Sequence, residues 1–296
     1  MAKTHNGSAI KISRGYRIFT VCNTILMVVI CAVMLYPFLY LIAQSFSSYE
    51  AIVAGEVGLL PVDFSVDTYI YVITNGVFIP DYINTIVYSI TGTCLALFFS
   101  ALLAYPMSKS ELWGNKFVGP FIIFTMYFGG GMIPNYLLMI NLGLQDTVAA
   151  FLLPSLISTY YVILMRSFFE TVPKELEEAG EMDGLNKYGV FFRIAIPLSK
   201  PIIATMVLFY LVMYWNDWFN AFLYLDTQSK WPVAYYLRNL ISTASSSTSQ
   251  DAGETLAIAS NIKSCAMVLT AAPIICVYPF IQKYFVQGMM LGGVKG

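Results

Sequence analysis

Long stretches without any charged residue dominate this 296-residue chain. Five of them, each at least about 18 residues long, contain no Asp, Glu, Lys or Arg, and a helix of that length can cross the hydrocarbon core of a bilayer. A sixth apolar run follows Lys200 and is interrupted only by Asp217. The pattern predicts six membrane spans, at residues 18–44, 83–105, 117–140, 148–168, 201–224 and 264–286.

The composition agrees with a membrane protein. Hydrophobic residues make up 58% of the chain and charged residues only 11%, whereas soluble domains carry about 25% charged residues. The sequence contains no series of short alternating strands, which is the signature of a membrane β-barrel. With a formal net charge of −1, it also lacks the basic surface of a nucleic-acid-binding protein. We therefore expect an all-α, polytopic membrane protein with six transmembrane helices and no nucleic-acid partner.

Lys and Arg residues are concentrated on one side of the predicted spans. Of the 16 such residues, 13 fall before the first span, between the second and third, between the fourth and fifth, or after the sixth. Because these residues accumulate in cytoplasmic loops, both termini are predicted to be cytoplasmic. The chain then divides into an N-terminal tail 1–17, a transmembrane domain 18–286 with a cytoplasmic loop 170–200, and a C-terminal tail 287–296.

The cytoplasmic loop is acidic at its start and apolar at its end, and the sequence predicts two short helices in it. Thr171 and Pro173 suit the start of the first helix. Asp183-Gly184 is a turn signal, after which the second helix covers 187–194. An acidic and aromatic helix pair is typical of a protein-docking surface. The alternative is an amphipathic loop lying on the membrane, although anionic inner-leaflet lipid repels acidic residues.

The same segment resembles the EAA loop of ABC-importer permeases. That pattern runs Glu-Ala-Ala, then Asp-Gly three residues on, then Ile-x-Leu-Pro, and this chain reads EAGEMDG and, further on, FFRIAIP. Glycine replaces alanine at 180, and isoleucine replaces leucine at 196. The resemblance implies coupling to an ATPase through Glu178, Ala179, Gly180, Asp183, Gly184, Phe191, Phe192, Ile194 and Pro197.

Nearly the whole chain resembles the carbohydrate branch of these permeases, the maltose-type family, and within it the LplC/YtcP-like subgroup for polysaccharide-derived oligosaccharides. Four stretches carry the likeness: AYPMSKSELWG, YFGGGMIPNYLLMINLGLQDT, YWNDWFNAFLYL and QKYFVQGMMLGGVKG. The resemblance implies a type I ABC importer permease (MetI-like) fold in a bacterial plasma membrane. It also implies a second permease subunit, two cytoplasmic ATPase subunits that bind ATP and Mg²⁺, and an extracellular lipoprotein that delivers an oligosaccharide.

The sequence contains no catalytic or metal-binding pattern. The phosphate-binding motif G-x-x-x-x-G-K-[ST] is absent, and the one histidine, His5, lies in the N-terminal tail. The five cysteines all fall inside predicted spans, at spacings that offer no metal site: Cys22, Cys31, Cys94, Cys265 and Cys276. We expect a translocation subunit that is not an enzyme, binds no cofactor of its own and receives energy through the cytoplasmic loop.

Polar and aromatic residues interrupt the fifth predicted span. A carboxylate at mid-bilayer costs about 2.5–3.5 kcal/mol, so Asp217 is expected to face protein or a wet cavity rather than lipid. Flat indoles beside hydrogen-bonding groups have the composition of a sugar site, and helix–helix packing is the alternative. The candidate pathway residues are Trp215, Asn216, Asp217, Trp218 and Asn220, with Asn135, Tyr136 and Tyr160 in the same cavity.

The third predicted span contains three consecutive glycines followed by a proline. Such residues kink or unwind a membrane helix, which is tolerated where the freed backbone faces protein or water. A gate or hinge in the pathway is one interpretation, and close helix packing is the other. The residues concerned are Gly129, Gly130, Gly131 and Pro134.

Three other functions remain open at this point. The same architecture serves ABC permeases for other solutes, such as amino acids or phosphate. An ion-coupled secondary transporter would need charged groups inside the membrane, and Asp217 is the only carboxylate in the predicted spans. A membrane scaffold without any pathway is the third alternative.

Overall fold

A computed structural model describes residues 13–74, 76–246, 260–277 and 279. Within these ranges the chain forms helices and turns and no β-strand. The helices are α1 (Arg14–Ser45), α2 (Tyr49–Val53), α3 (Asp67–Thr74), α4 (Phe78–Met107), α5 (Asn115–Tyr127), α6 (Met132–Asn141), α7 (Val148–Leu152), α8 (Thr159–Phe169), α9 (Lys174–Met182), α10 (Lys187–Val190), α11 (Ile196–Leu198), α12 (Lys200–Trp215), α13 (Phe219–Tyr224), α14 (Val233–Ser246) and α15 (Ser260–Val277).

Among the described residues, one compact unit contains 13–69 together with 260–268. Most side chains of α1 are apolar and exposed, as expected for a helix surrounded by lipid. At the end of α1, the Gln44 amide group donates to the Ser260 hydroxyl at 3.0 Å, and its carbonyl oxygen accepts from Ser264 at 2.8 Å. These interhelical hydrogen bonds hold the first turns of α15 against α1.

The second unit, described over residues 70–246 and 269–277, packs α4 against α8 and α12. Gly92 on α4 allows the ring of Tyr214 to approach so closely that a Cβ atom at 92 would lie 2.7 Å from it. The Tyr214 hydroxyl donates to the Leu152 carbonyl at 3.1 Å. Small residues at helix contacts permit such close packing in membranes. The largest fully buried side chains here are Tyr210, Tyr214, Phe151, Phe169, Met165 and Met206.

Three helices, α1, α4 and α15, are each long and apolar enough to cross a membrane alone. Three further candidates are pairs of helices joined at a bend: α5 with α6 at 109°, Val148–Ser155 with α8 at 52°, and Lys187–Leu198 with α12 at 82°. The described residues therefore provide three spans, or six if each bent pair counts as one. This arrangement agrees with the predicted all-α, polytopic architecture.

The helix breaks lie where polar or flexible residues interrupt the predicted spans. Instead of one helix over 117–140, α5 and α6 meet at glycines, and Gly131 has a φ of +89° that glycine adopts without strain. Instead of one helix over 201–224, α12 ends before Asp217 and α13 begins after it. The Asp217 carboxylate accepts the backbone amide of Asn220 at 3.0 Å, which favours a new helix start over continuation.

The ends of the chain are described in part. α1 begins at Arg14, inside the segment assigned to the tail 1–17. Residues 1–12, the C-terminal tail 287–296 and most of the last third of the predicted span 264–286 lie outside the described residues.

Replacing Gly92 by valine is expected to destabilise the second unit, because the new side chain must displace the Tyr214 ring. Overpacking of this kind costs about 1–3 kcal/mol. Thermal unfolding of the purified protein in detergent measures the effect. The control is Gly15→Val, since the only nearby atom at that helical position is the Ser13 hydroxyl at 4.0 Å. Equal unfolding temperatures for the two variants would contradict the close approach of α4 and α12.

Candidate functional site

The loop between α8 and α12 folds as a compact set of short helices. α9 begins directly after Pro173, and Glu175 and Glu177 lie in its first turn, where the helix dipole stabilises acidic side chains. The Thr171 hydroxyl donates to the Phe168 carbonyl at 2.7 Å and does not cap α9. The predicted capping role of Thr171 is therefore wrong, because the end of α8 already uses this hydroxyl.

Two glycines allow the helices of the loop to fold against each other. Gly184 follows α9 with a φ of +87°, a left-handed conformation that strains other residues. Gly180 is buried, and a Cβ atom there would overlap Cδ1 of Ile194 and lie 3.4 Å from Leu185. The glycine that departs from the Glu-Ala-Ala pattern thus has a packing reason, since it lets α9 approach the segment that follows α10.

The second half of the loop leads without a linker into α12. Asn186 caps α10 by accepting the Gly189 amide at 2.8 Å. The chain continues as a π turn over Phe191–Ala195 and then as α11, whose first turn contains Pro197. Ser199 alone separates α11 from α12, and the helix axis bends by 82° there. A displacement of the loop therefore reaches α12 directly.

An aromatic and ionic joint ties the loop to the end of α4. The buried Phe191 ring lies 5.0 Å from the Tyr105 ring and 6.4 Å from the Phe169 ring, measured between centroids. The Lys109 ammonium lies 4.6 Å from the Tyr105 centroid and 2.6 Å from both carboxylate oxygens of Glu177. We call these five residues the joint. They come from four separate segments, so the loop and the helix bundle are held together on this side.

The opposite face of the loop is exposed. Met182, Tyr188 and Phe192 expose 89%, 72% and 50% of their surface. Glu178 and Asp183 are also exposed, and their carboxylates have no hydrogen-bond or ion-pair partner among the described residues. Free acidic groups beside apolar side chains are typical of a surface that binds a basic protein partner. Other exposed coupling candidates in the loop are Ala179, Gly184 and Pro197.

At the far end of α12, a polar break replaces the continuous span predicted from sequence. Asp217 accepts the backbone amide of Asn220 at 3.0 Å and the Asn220 side-chain amide at 2.6 Å. The same side-chain amide donates to the Ser155 hydroxyl oxygen at 3.0 Å. We call Ser155, Asp217 and Asn220 the polar trio. It gives the start of α13 hydrogen-bonding groups that are only partly buried.

The remaining candidates from the predicted fifth span differ in whether their side chains are engaged or exposed. Trp215 is buried, and its indole N–H donates to the Thr270 carbonyl at 3.1 Å. The Asn216 side chain donates to the Val212 carbonyl at 2.8 Å, within its own helix. Both side chains are thus used in packing and capping. Trp218, in contrast, is exposed beside the polar trio.

Of the other pathway candidates, Tyr136 is brought to this region and Tyr160 is not. The Tyr136 ring stacks on Tyr224 of α13 with centroids 6.2 Å apart, one helical turn from the polar trio. Asn135 precedes it on α6 and is exposed. The Tyr160 ring instead pairs with Tyr161 at 5.8 Å, and neither a hydrogen bond nor a ring contact links it to the polar trio in the described part of the chain.

The gate candidates lie together at the sharpest bend of the second unit. Gly129, Gly130 and Gly131 connect α5 to α6, whose axes meet at 109°. Pro134 occupies the first turn of α6, where its missing N–H has no helical partner to lose. Since neither helix crosses the membrane length alone, the glycines set the direction of the whole α5–α6 elbow.

A tether between two loops near α13 escaped the sequence analysis. The Lys230 ammonium lies 2.6 Å from both the carboxylate and the carbonyl oxygen of Asp146. The Thr227 hydroxyl and amide donate to the same carboxylate at 2.6 and 3.0 Å. Lys230, followed by Thr227, holds the pKa of Asp146 well below its ordinary range. These partners are 84 and 81 positions away, so no local sequence signal pairs them.

The sequence matches the family described as "Binding-protein-dependent transport system inner membrane component" over residues 96–291. The chain belongs to this family. Protein LplC of Bacillus subtilis (strain 168) is 40% identical over 288 residues, covering 96% of this chain and 97% of its own. The polygalacturonan/rhamnogalacturonan transport system permease protein YtcP of the same organism is 38% identical over 263 residues, 88% of this chain and 92% of its own.

A solved structure confirms the fold of this inner membrane component. It is the crystal structure of a bacterial ABC transporter involved in the import of the acidic polysaccharide alginate. The two chains superpose with a TM-score of 0.85 and share 35% sequence identity, and the match covers 92% of this chain and 98% of the other. The resemblance to carbohydrate ABC permeases, the MetI-like fold and the absence of enzymatic activity, all predicted from sequence, are therefore confirmed by family membership.

Replacing Glu177 by glutamine is expected to loosen the loop, because the part-buried Lys109 ammonium loses its charged partner. Hydrogen bonds to charged groups contribute about 1.5–3 kcal/mol, so backbone amides of residues 174–198 should exchange at least about tenfold faster. Hydrogen–deuterium exchange of the purified protein measures this. Glu175→Gln is the matched control, since Glu175 is exposed on the same helix and has no partner in the described part of the chain. Identical exchange in both variants would rule out the ionic part of the joint.

The tether at Asp146 is expected to persist on mild acidification. Because the folded-state pKa is lowered, its contribution to stability is fully present above the ordinary carboxyl pKa of about 3.9 and disappears only below it. The difference in unfolding temperature between the native protein and Asp146→Asn should therefore stay constant from about pH 7 to about pH 5 and shrink below about pH 4. A difference that shrinks already above pH 5 would contradict the assigned pairing with Lys230.

Proposed function

We propose that this chain is the translocation subunit of an ATP-driven oligosaccharide importer and that its cytoplasmic loop couples it to the ATPase. The observation that carries the proposal is the two-sided construction of the loop. One face is fixed to the bundle by the joint, while the other presents apolar and acidic groups without partners in the described residues. Since only Ser199 separates the loop from α12, a force on the exposed face is transmitted into a helix of the core.

The proposed partners follow from the family and from this surface. Two cytoplasmic ATPase subunits bind ATP and Mg²⁺ and contact the exposed face around Glu178 and Asp183. A second permease subunit completes the pathway, and an extracellular lipoprotein delivers the saccharide. The assembly lies in a bacterial plasma membrane with both termini on the cytoplasmic side, as the distribution of Lys and Arg favours. In the chain itself we assign no cofactor.

The proposed mechanism is alternating access driven by a lever. Nucleotide binding brings the two ATPase subunits together, and the loops that they hold move with them. In this chain the motion passes through the 82° bend into α12, whose other end leads to the polar break at Asp217. A tilt of α12 therefore changes the position of the polar trio and of Trp218 relative to the pathway. The elbow at Gly129, Gly130, Gly131 and Pro134 is the proposed gate.

The proposed cargo is an oligosaccharide derived from a polysaccharide. YtcP is named for transport of polygalacturonan and rhamnogalacturonan, and the solved relative is involved in the import of alginate. In this chain, Asp217 and Asn220 supply hydrogen-bonding groups, and Trp218 supplies a flat apolar face, which together suit a sugar ring. Asn135 and Tyr136 on α6 are the proposed second wall of the pathway. Trp215, Asn216 and Tyr160 are engaged elsewhere and are left out of this assignment.

The alternatives make different demands on the chain. A permease for a non-sugar solute would share the coupling loop, so only transport assays with a panel of solutes separate it from the oligosaccharide importer. An ion-coupled transporter would work without nucleotide, and it would need no ATPase partner at the exposed face of the loop. Uptake that requires ATP inside proteoliposomes distinguishes the two modes of energy supply.

Charge reversal at Glu178 is expected to uncouple ATP hydrolysis from transport, because it removes the carboxylate from the centre of the exposed face while leaving the joint intact. In the complete importer reconstituted into proteoliposomes, Glu178→Lys should lower ATP-dependent uptake at least about tenfold, the effect of losing about 1.4 kcal/mol of coupling contact.

Glu56→Lys is the matched control for this experiment, since Glu56 is exposed, lies outside the loop and has no charged partner in the described residues. Both variants are compared for the amount of ATPase subunit that copurifies. Normal uptake by Glu178→Lys, with normal assembly, would show that the loop does not carry the coupling.

A further inference from the structure

Arg238 on α14 lies over the indole of Trp218. Its guanidinium carbon is 4.9 Å from the ring centroid, within the distance at which a cation is attracted to an aromatic face. The arginine is exposed, and Trp218 keeps 36% of its surface accessible. The pair therefore presents a positive charge and a flat apolar face side by side. Trp218 is a pathway candidate from the sequence alone, whereas no motif around Arg238 marks it as one.

The pair is located at the polar break rather than on a uniformly apolar surface. Trp218 follows Asp217 directly and lies two positions before Asn220, so it belongs to the chain segment in which the polar trio interrupts the helix. Phe219, whose ring centroid lies 5.5 Å from that of Trp218, and Phe222, one turn further on, are also exposed and extend the aromatic surface. α12 has 16 residues, which places this region about 24 Å from the coupling loop.

Arg238 retains its hydrogen-bonding capacity. Lys230, which also follows α12, is held by the Asp146 carboxylate at 2.6 Å. No carboxylate lies within ion-pair distance of Arg238 among the described residues. The nearby Asp217 already accepts two hydrogen bonds from Asn220. A guanidinium held by an aromatic face and lacking an anionic partner can bind a carboxylate through two parallel N–H donors.

We propose that Arg238 and Trp218 form a specificity site for the carboxylate group of an acidic saccharide, one built from uronic acid residues. The indole contacts the apolar face of the sugar ring, the guanidinium binds its carboxylate, and Asn220 of the polar trio lies within reach of the hydroxyl groups. The proposal rests on the proposed function, because it assigns a substrate class to the same pathway. It adds a residue, Arg238, and a reason for preferring charged over neutral saccharides.

A lipid phosphate is the competing ligand for an arginine beside aromatic residues in a membrane protein. The position of the pair favours the saccharide. Asp217 and Asn220 stand on either side of Trp218 in the chain, and the Asn220 side-chain amide reaches Ser155 on a different segment, so the pair lies at a hydrogen-bonded break between helices and not on an uninterrupted apolar surface. The two ligands also predict different responses to membrane composition.

The test uses the complete importer, with its binding protein, in proteoliposomes. The probes are the trisaccharides of galacturonate, guluronate and mannuronate, their methyl esters, and neutral maltotriose. We expect uptake of at least one acid, and we expect Arg238→Gln to lower that uptake about tenfold to one hundredfold, the effect of losing a charge-assisted hydrogen bond. Arg238→Lys keeps the charge without the planar fork and should retain more uptake than Arg238→Gln.

Arg17→Gln, an exposed arginine on α1, is the matched control and should import the acid at the native rate. The loss in Arg238→Gln should be equal in phosphatidylcholine vesicles and in vesicles with added phosphatidylglycerol. Three results would overturn the specificity site and leave the proposed function standing. They are unchanged uptake of the acid by Arg238→Gln, import of the neutral or esterified probes alone, and a loss of uptake that appears only with the anionic lipid. If no saccharide is imported at all, the proposed function fails, and this site with it.

Discussion

The joint between the loop 170–200 and the helix bundle is the contact on which the rest of the structure depends. Phe191 packs on Tyr105, and Glu177 meets Lys109, so both helices of the loop are fixed to α4. The Lys109 and Glu177 side chains are only 26% and 11% exposed, so their ion pair is stronger than one on an open surface. Without this joint the loop would be a flexible connection, and a partner bound to it could not move α12.

The two ends of α12 have opposite character for physical reasons. At its start, the chain arrives from the loop through a proline-containing turn and Ser199, where the helix axis bends by 82°. At its end, the Asp217 carboxylate starts a new short helix instead of crossing lipid. The 16 residues between them are nearly all apolar. One rigid helix thus connects a surface suited to a protein partner with a region suited to a polar ligand.

Much of the fold, and the division of the loop into two short helices joined by a turn, could be predicted from the sequence. Charge-free windows predicted an all-α, polytopic membrane chain because lipid tolerates no isolated charge, and Asp183-Gly184 predicted the turn because its conformation is local. Three glycines predicted a kink where the structure has the bend of 109°, and the boundary predicted between the loop and the fifth span, at residues 200 and 201, lies next to the bend of 82°. The bend of 52° inside the predicted span 148–168 had no such signal in the sequence. Whether a tryptophan packs or stays free depends on distant partners, which is why Trp215 and Trp218 could not be told apart.

Contacts between distant positions account for the rest of what sequence missed. Asp146 meets Lys230 from 84 positions away, and Arg238 meets Trp218 only because α13 and α14 fold together. Asp146, Lys230 and Arg238, each taken singly, resemble ordinary surface charges. At Gly180 the sequence showed the departure from the Glu-Ala-Ala pattern, and the structure supplied its reason, because the Ile194 side chain occupies the space that an alanine Cβ would need.

The most direct test of the lever is a pair of distances measured by pulsed electron paramagnetic resonance in the complete importer, with and without trapped nucleotide. One pair of spin labels joins Tyr188 on the loop to Leu95 on α4 within this chain, and the other joins the loops of the two permease subunits. The account predicts that nucleotide shortens the distance between the loops and leaves the distance within the chain unchanged. A distance within the chain that changes while the loops stay in place would contradict a loop fixed to its bundle.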